Sequence, residues 1–222
     1  MISRGNNFDL IRLIASFQVL LLHGILHLQI ENSLPITKIL SLFPGVLIFF
    51  TISGFLIFSS FDRNKNIKKY FFNRFVRLFP ALWLCFICTV ALLFSFNIIS
   101  ISNFFSWTML KWSFTQITFF QFWTPDILKT WGVGSPNGSL WTIPVELQFY
   151  VILPIIVLMF KNIKLIYKFI FFIGCSILFN LYLSSQQTLI ETTMSKLAGV
   201  SVVPYLYCFL GGGNNLFVLE PD

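Results

Sequence analysis

Two ionisable residues, Arg12 and His23, stand eleven positions apart inside the apolar run NFDLIRLIASFQVLLLHGILHLQIE, residues 7–31. A helix turns about 100° and climbs about 1.5 Å per residue, so eleven residues make close to three whole turns. Arg12 and His23 therefore share a helix face, roughly 16 Å apart along its axis. Asp9 lies one turn before Arg12, and His27 one turn after His23. With the helix starting at the inner water interface, His23 falls near the middle of a hydrocarbon layer about 30 Å thick. An ionisable group at that depth is costly unless it faces protein or a wet cavity, which makes this stripe the first candidate for chemistry. A neutral imidazole there can take a proton from a hydroxyl or carry a transferred group itself. The plainer alternative is a histidine hydrogen-bonded between packed helices. His23 and His27 have a spacing that suits a metal, but no third ligand accompanies them, and no metal site is expected.

Three further groups stand out. Arg74 and Arg77, in FFNRFVRLFPALW, are three residues apart and share a face at a cytoplasmic helix start. Guanidinium forks suit phosphate oxygens, so the pair reads either as an anion clamp or as ordinary topology anchoring. Glu146, in WTIPVELQFY, falls in a first helical turn on the far side, where a carboxylate is favoured in any case. It could equally orient an acceptor hydroxyl or partner a base. Ser53-Gly54, in FFTISGFLI, is a small pair at which a neighbouring helix or a ligand can reach the backbone.

The elements that must position these residues are membrane spans. Of 222 residues, 56% are hydrophobic and 10% charged, and the mean hydropathy is +0.82. Soluble domains carry about 25% charged residues, and several apolar runs here reach the ~20 residues needed to cross a bilayer. The fold class expected is all-α: a polytopic membrane helix bundle of about six transmembrane helices, at 8–30, 39–59, 78–98, 141–160, 166–183 and 197–210. Alternating segments of a barrel are not found. The net charge of +7 does not point to nucleic acid, because the basic residues flank the hydrophobic spans. With the N-terminus cytoplasmic, eleven of the fifteen Lys and Arg fall at cytoplasmic ends, and Lys38, Lys111, Lys129 and Lys196 lie outside. Residues 99–140 hold four of the six tryptophans and read as helices lying in or dipping into the outer face, with a crossing at 104–122 as an alternative. Cys85 and Cys88 have CxxC spacing but no partner pair, and read as small apolar fillers. The first span is too long for a cleavable signal peptide and reads as an uncleaved anchor.

Taken together, four stretches resemble one family. FDLIRLIASFQVLLLH is similar to the opening signature of the acyltransferase-3 family of membrane O-acyltransferases. FFTISGFLI resembles its second-span motif, FFNRFVRLFPALW its RxxR-x-x-P motif, and NGSLWTIPVELQFYVILP its W-x-x-x-x-E-x-x-F-Y motif. The resemblance implies transfer of an acyl group, usually acetyl, from acetyl-CoA in the cytoplasm to a carbohydrate hydroxyl at the outer face of a bacterial inner membrane. No bound cofactor is implied: acetyl-CoA is the donor substrate, and the acceptor is a lipid-linked or surface carbohydrate such as O-antigen or capsule. Carried onto this chain, it makes His23, Arg12 and Glu146 catalytic, with Glu146 on the acceptor side, and Arg74 and Arg77 donor-binding. Asp9, Ser53, Gly54 and Trp141 are supporting residues. The family fold resembles a bundle of roughly ten spans, so residues 1–210 read as the N-terminal part of the acyltransferase domain and 211–222 as a short atypical tail, which implies a truncated member. Two rival readings remain: a non-enzymatic membrane subunit or transporter, and an inactive remnant.

Overall fold

The computed structural model describes residues 8–27, 35–63, 66–130, 134–159, 163–186 and 197–214, except the side chains at 9, 26, 27, 36 and 214. Among these residues every regular element is helical, as the composition requires. Helix α1 spans Phe8–His27, α2 Pro35–Leu42, α3 Gly45–Arg63, α4 Ile67–Ser95, α5 Ile101–Phe104, α6 Trp107–Ile117 and α7 Asp126–Lys129. A 3-10 turn, Gly138–Trp141, leads into α8, Thr142–Leu158, followed by α9, Leu165–Gln186. A second 3-10 turn, Val203–Tyr205, opens α10, Leu206–Asn214. Four stretches are long and apolar enough to cross a bilayer: Thr37–Arg63, Ile67–Ser95, Gly138–Leu158 and Leu165–Ser185. Leu10–Ile25 and Val203–Gly212 are shorter apolar helices. The chain is a membrane protein, and its six apolar stretches follow the expected order.

Three boundaries differ from expectation, each for a local reason. The second span is broken at Phe43-Pro44, because Pro44 carries no N–H to continue α2, and α3 restarts at Gly45. The third span begins eleven residues early: the basic segment is helical from Ile67, capped by the Asn66 side chain, which accepts from the Lys69 N–H at 3.2 Å. Pro80 therefore lies deep inside α4, not in its first turn. The sixth span is a 3-10 turn plus the nine residues of α10, which continue through Gly211 to Asn214.

The chain divides into two compact units, residues 1–63 with 152–222, and residues 64–151. In the first unit α3 is the central helix, packed by α1 on one side and α10 on another, with α9 against α10. The α3–α10 contact is a backbone contact. A Cβ at Gly54 would strike the carbonyl of Phe209, and one at Gly212 would strike the carbonyl of Thr51. Phe50 stacks on Phe209 with ring centroids 4.7 Å apart. Ser176 and Asn180 of α9 donate to the carbonyls of Val203 and Pro204, at 2.6 and 2.7 Å, which fixes the turn that starts α10.

In the second unit no described helix of the Trp-rich segment is long and apolar enough to cross a bilayer. Its longest helix, α6, has 11 residues, about 16 Å of rise. It packs along α4 around Leu93, Ile99, Met109, Trp112 and Leu128. Further down α4, Trp83 Nε1 donates to the carbonyl of Ile117 at 3.1 Å, and Phe79 meets Phe119 at 5.7 Å between ring centroids. Cys85, read from sequence as a filler, accepts from Asn137 Nδ2 at 2.9 Å. From Trp112 to Phe119 the chain thus runs back along α4, and Asn137, shortly before α8, lies beside Cys85.

Candidate active site

The first polar station lies on α1. Arg12 is 8% exposed and sits among apolar neighbours because it has a partner across the helix pair: its Nη2 donates to Ser53 Oγ at 2.7 Å. Its guanidinium carbon also lies 5.2 Å from the centroid of Phe49. Arg12 Nε has no hydrogen-bond partner among the described residues. Ser53 serves Arg12, while Gly54 beside it admits the α10 backbone, so a helix occupies that close-approach point. Replacing Ser53 with alanine removes the acceptor of a charge-assisted bond and is expected to cost about 1.5–3 kcal/mol. Thermal melting of the solubilised protein measures it; an unchanged midpoint would contradict this role for Ser53.

His23 lies three turns further along α1 and is half-buried. Its Nδ1 is 2.8 Å from the carbonyl oxygen of Val19, one turn back. A carbonyl only accepts, so Nδ1 carries the proton, and the lone pair of the neutral ring is on Nε2. The helix thus presents Arg12 and His23 as two separate stations, since the Arg12 head group is engaged at Ser53 and Phe49. Asp9 and His27 belong to α1, but their side chains lie outside the described residues. Gln18, which the sequence reading passed over, is buried between these stations: Nε2 donates to the carbonyl of Leu40 at 2.7 Å, and Oε1 has no partner among the described residues.

The second station joins α4 to the start of α8. Arg74 is 7% exposed, with its guanidinium carbon 5.7 Å from the ring centroids of both Tyr70 and Tyr150. Its Nε and Nη1 have no hydrogen-bond partner among the described residues. Glu146 is 6% exposed and accepts from the Tyr150 hydroxyl at 2.6 Å. The Tyr70 hydroxyl in turn donates to the Tyr150 carbonyl at 3.1 Å. Arg77 is exposed, one turn further on. A cleft of about 510 Å³ opens beside Arg74, walled by Phe71, Phe75, Phe79, Phe119 and Phe122 and by Gln148. Trp141 ends the 3-10 turn before α8 and is half-buried.

This geometry corrects one expectation. Arg74 and Glu146 were placed at opposite sides of the membrane, yet one side chain, Tyr150, touches both. The contacts of Ile117 with Trp83, Phe119 with Phe79 and Asn137 with Cys85 bring the chain before α8 back beside the middle of α4. Tyr70 lies outside the motifs, and Tyr150 enters them only as the closing residue of W-x-x-x-x-E-x-x-F-Y. The available signal was their spacing: Tyr70 lies four residues before Arg74, and Tyr150 four after Glu146.

Comparisons with known proteins give the same family as the motifs. The acyltransferase-3 sequence model, described as an acyltransferase domain, matches residues 6–218. The chain is 34% identical over 168 residues to "Nodulation protein 10" of Rhizobium leguminosarum bv. viciae, covering 72% of this chain and 46% of that one. It is 32% identical over 166 residues to the "O-acetyl transferase" of Shigella phage Sf6, covering 72% and 48%. It is 30% identical over 142 residues to "Peptidoglycan O-acetyltransferase OatA" of Listeria monocytogenes serovar 1/2a, covering 60% and 23%. The chain therefore spans about half the length of the first two relatives, and less of the third. No solved structure gives a significant match. The match over residues 6–218, nearly the whole chain, places this chain in the acyltransferase-3 family.

Proposed function

We propose that this chain is a membrane O-acyltransferase of the bacterial inner membrane. In this reading it moves an acetyl group from acetyl-CoA, bound from the cytoplasm, to a hydroxyl of a lipid-linked or surface carbohydrate such as O-antigen or capsule. The observation that carries the reading is His23: an imidazole on an apolar helix whose Nδ1–H is committed to Val19, which makes Nε2 the basic nitrogen. The family, and relatives whose names specify O-acetyl transfer and peptidoglycan, supply the reaction class and favour a glycan acceptor.

A hydroxyl is a weak nucleophile at neutral pH and needs a base, and a thioester is an activated acyl group. In the direct route, Nε2 takes the hydroxyl proton as the oxygen attacks the thioester carbonyl. The carbon–sulfur bond then breaks, and the imidazolium returns the proton to the departing thiolate. In the two-step route Nε2 attacks first, the thiolate leaves, and the hydroxyl oxygen then displaces the ring from the acyl carbon, losing its proton to solvent or to the thiolate. Arg12, through Ser53, fixes α1 against α3 and so holds His23 in register.

Arg74 and Arg77 serve the donor phosphates in this account. Two nitrogens of a buried guanidinium, Arg74 Nε and Nη1, have no hydrogen-bond partner among the described residues and stand beside an open cleft, which suits an incoming anionic oxygen. Arg74→Ala or Arg77→Ala is expected to raise the acetyl-CoA KM about tenfold or more, with a smaller change in kcat, since a charge-assisted bond is worth about 1.5–3 kcal/mol. Steady-state transfer of labelled acetyl measures both constants; an unchanged KM in both variants would remove the donor clamp. Glu146, on the same network as Arg74, suits a carboxylate that tempers the guanidinium charge at the donor end.

A further inference from the structure

We infer that Tyr150 is a positioning residue for the proposed transfer, a single side chain whose ring carries Arg74 and whose hydroxyl carries Glu146. The inference rests on the donor-site reading above and adds to it a residue whose role that reading leaves open. Tyr150 is buried in an apolar helix, where a phenolic hydroxyl needs a partner. A carboxylate can only accept, so the 2.6 Å bond runs from Tyr150 Oη to Glu146 Oε1. One turn of α8 separates the two residues, so the bond closes on one helix face. Across from it, Tyr70 and Arg74 are likewise one turn apart on α4. Tyr70 fixes the Tyr150 backbone through its carbonyl, and the Arg74 guanidinium lies between the two rings. Two i, i+4 pairs on facing helices thus form one unit. The cation cannot swing away without leaving both aromatic faces, and the carboxylate cannot turn without breaking the tyrosine bond. The donor-side charge and the carboxylate keep a fixed separation, and the separation is set by Tyr150.

The two ends of Tyr150 can be removed separately. Tyr150→Phe keeps the ring against Arg74 and deletes only the bond to Glu146. Tyr150→Leu deletes both. With the full chain in membranes, Tyr150→Phe is expected to leave the acetyl-CoA KM within about twofold of wild type while lowering kcat about tenfold. Tyr150→Leu is expected to lower kcat similarly and to raise KM about fivefold or more. Adding Glu146→Ala to Tyr150→Phe should slow transfer no further than the slower single change, because each change alone already deletes the same bond. This split between kcat and KM is one that a merely structural tyrosine would not produce. Wild-type kinetics in Tyr150→Phe, or an equal rise of KM in both variants, would overturn the inference while leaving the donor-site reading intact. Absence of acetyl-CoA-dependent transfer by the wild-type chain would overturn both.

Discussion

Replacing His23 with alanine is expected to lower acetyl transfer by at least about 10²-fold, the usual worth of a positioned general base, while the protein still accumulates in the membrane. Accumulation should persist because the ring is half-buried and its hydrogen bond to Val19 is local to α1. The same variant separates the two chemical routes. With labelled acetyl-CoA and no acceptor, the two-step route leaves label on the wild-type protein and none on His23→Ala; the direct route leaves none on either. Transfer by His23→Ala within about threefold of wild type would remove His23 from the chemistry, and with it the observation on which the functional reading stands.

The second large effect is structural. Gly54→Val is expected to destabilise the α3–α10 pair by about 3 kcal/mol or more, because the added Cβ meets backbone. The atom in its way is the carbonyl of Phe209, and no rotamer change can move it. The reciprocal contact of Gly212 with the Thr51 carbonyl means that relief at one point would require both helices to part, opening the Phe50–Phe209 stack as well. Because Ser53 precedes Gly54 on α3, the Arg12 bond would loosen with it. Gly174→Ala on α9 is the control: its Cβ would meet nothing within 4 Å, so a neutral or slightly stabilising result is expected. Thermal melting and membrane yield of the three proteins measure the difference. Equal midpoints for wild type and Gly54→Val would contradict the close backbone packing.

The helices were largely legible in the sequence, because apolar runs of about 20 residues have few alternatives to spanning a bilayer. What hydropathy could not give was where a helix continues through polar residues. The Asn66 cap starts α4 within a run of lysines and arginines that reads as a loop. Pro44 had the opposite effect, breaking a run that hydropathy makes continuous. Partners on one helix, His23 with Val19, Tyr150 with Glu146 and Tyr70 beside Arg74, stand one turn apart, a spacing the sequence carries although the motifs mark none of these pairs. The site was not legible where partners come from two helices. Nothing in the spacing of 41 residues between Arg12 and Ser53 predicts their bond. The separation of Arg74 from Glu146 failed for the same reason. The order of spans says which loop precedes α8, but not that Ile117 and Asn137 return to the middle of α4, as the Trp83–Ile117 and Cys85–Asn137 bonds record.

The most direct test of acetyl transfer by this chain is to follow label from acetyl-CoA into alkali-labile esters on carbohydrate. Membranes holding the chain are compared with matched membranes lacking it. The account predicts ester label that appears only with the chain and rises with acetyl-CoA concentration to saturation. Equal label in both membranes, with the protein shown to be present, would contradict it.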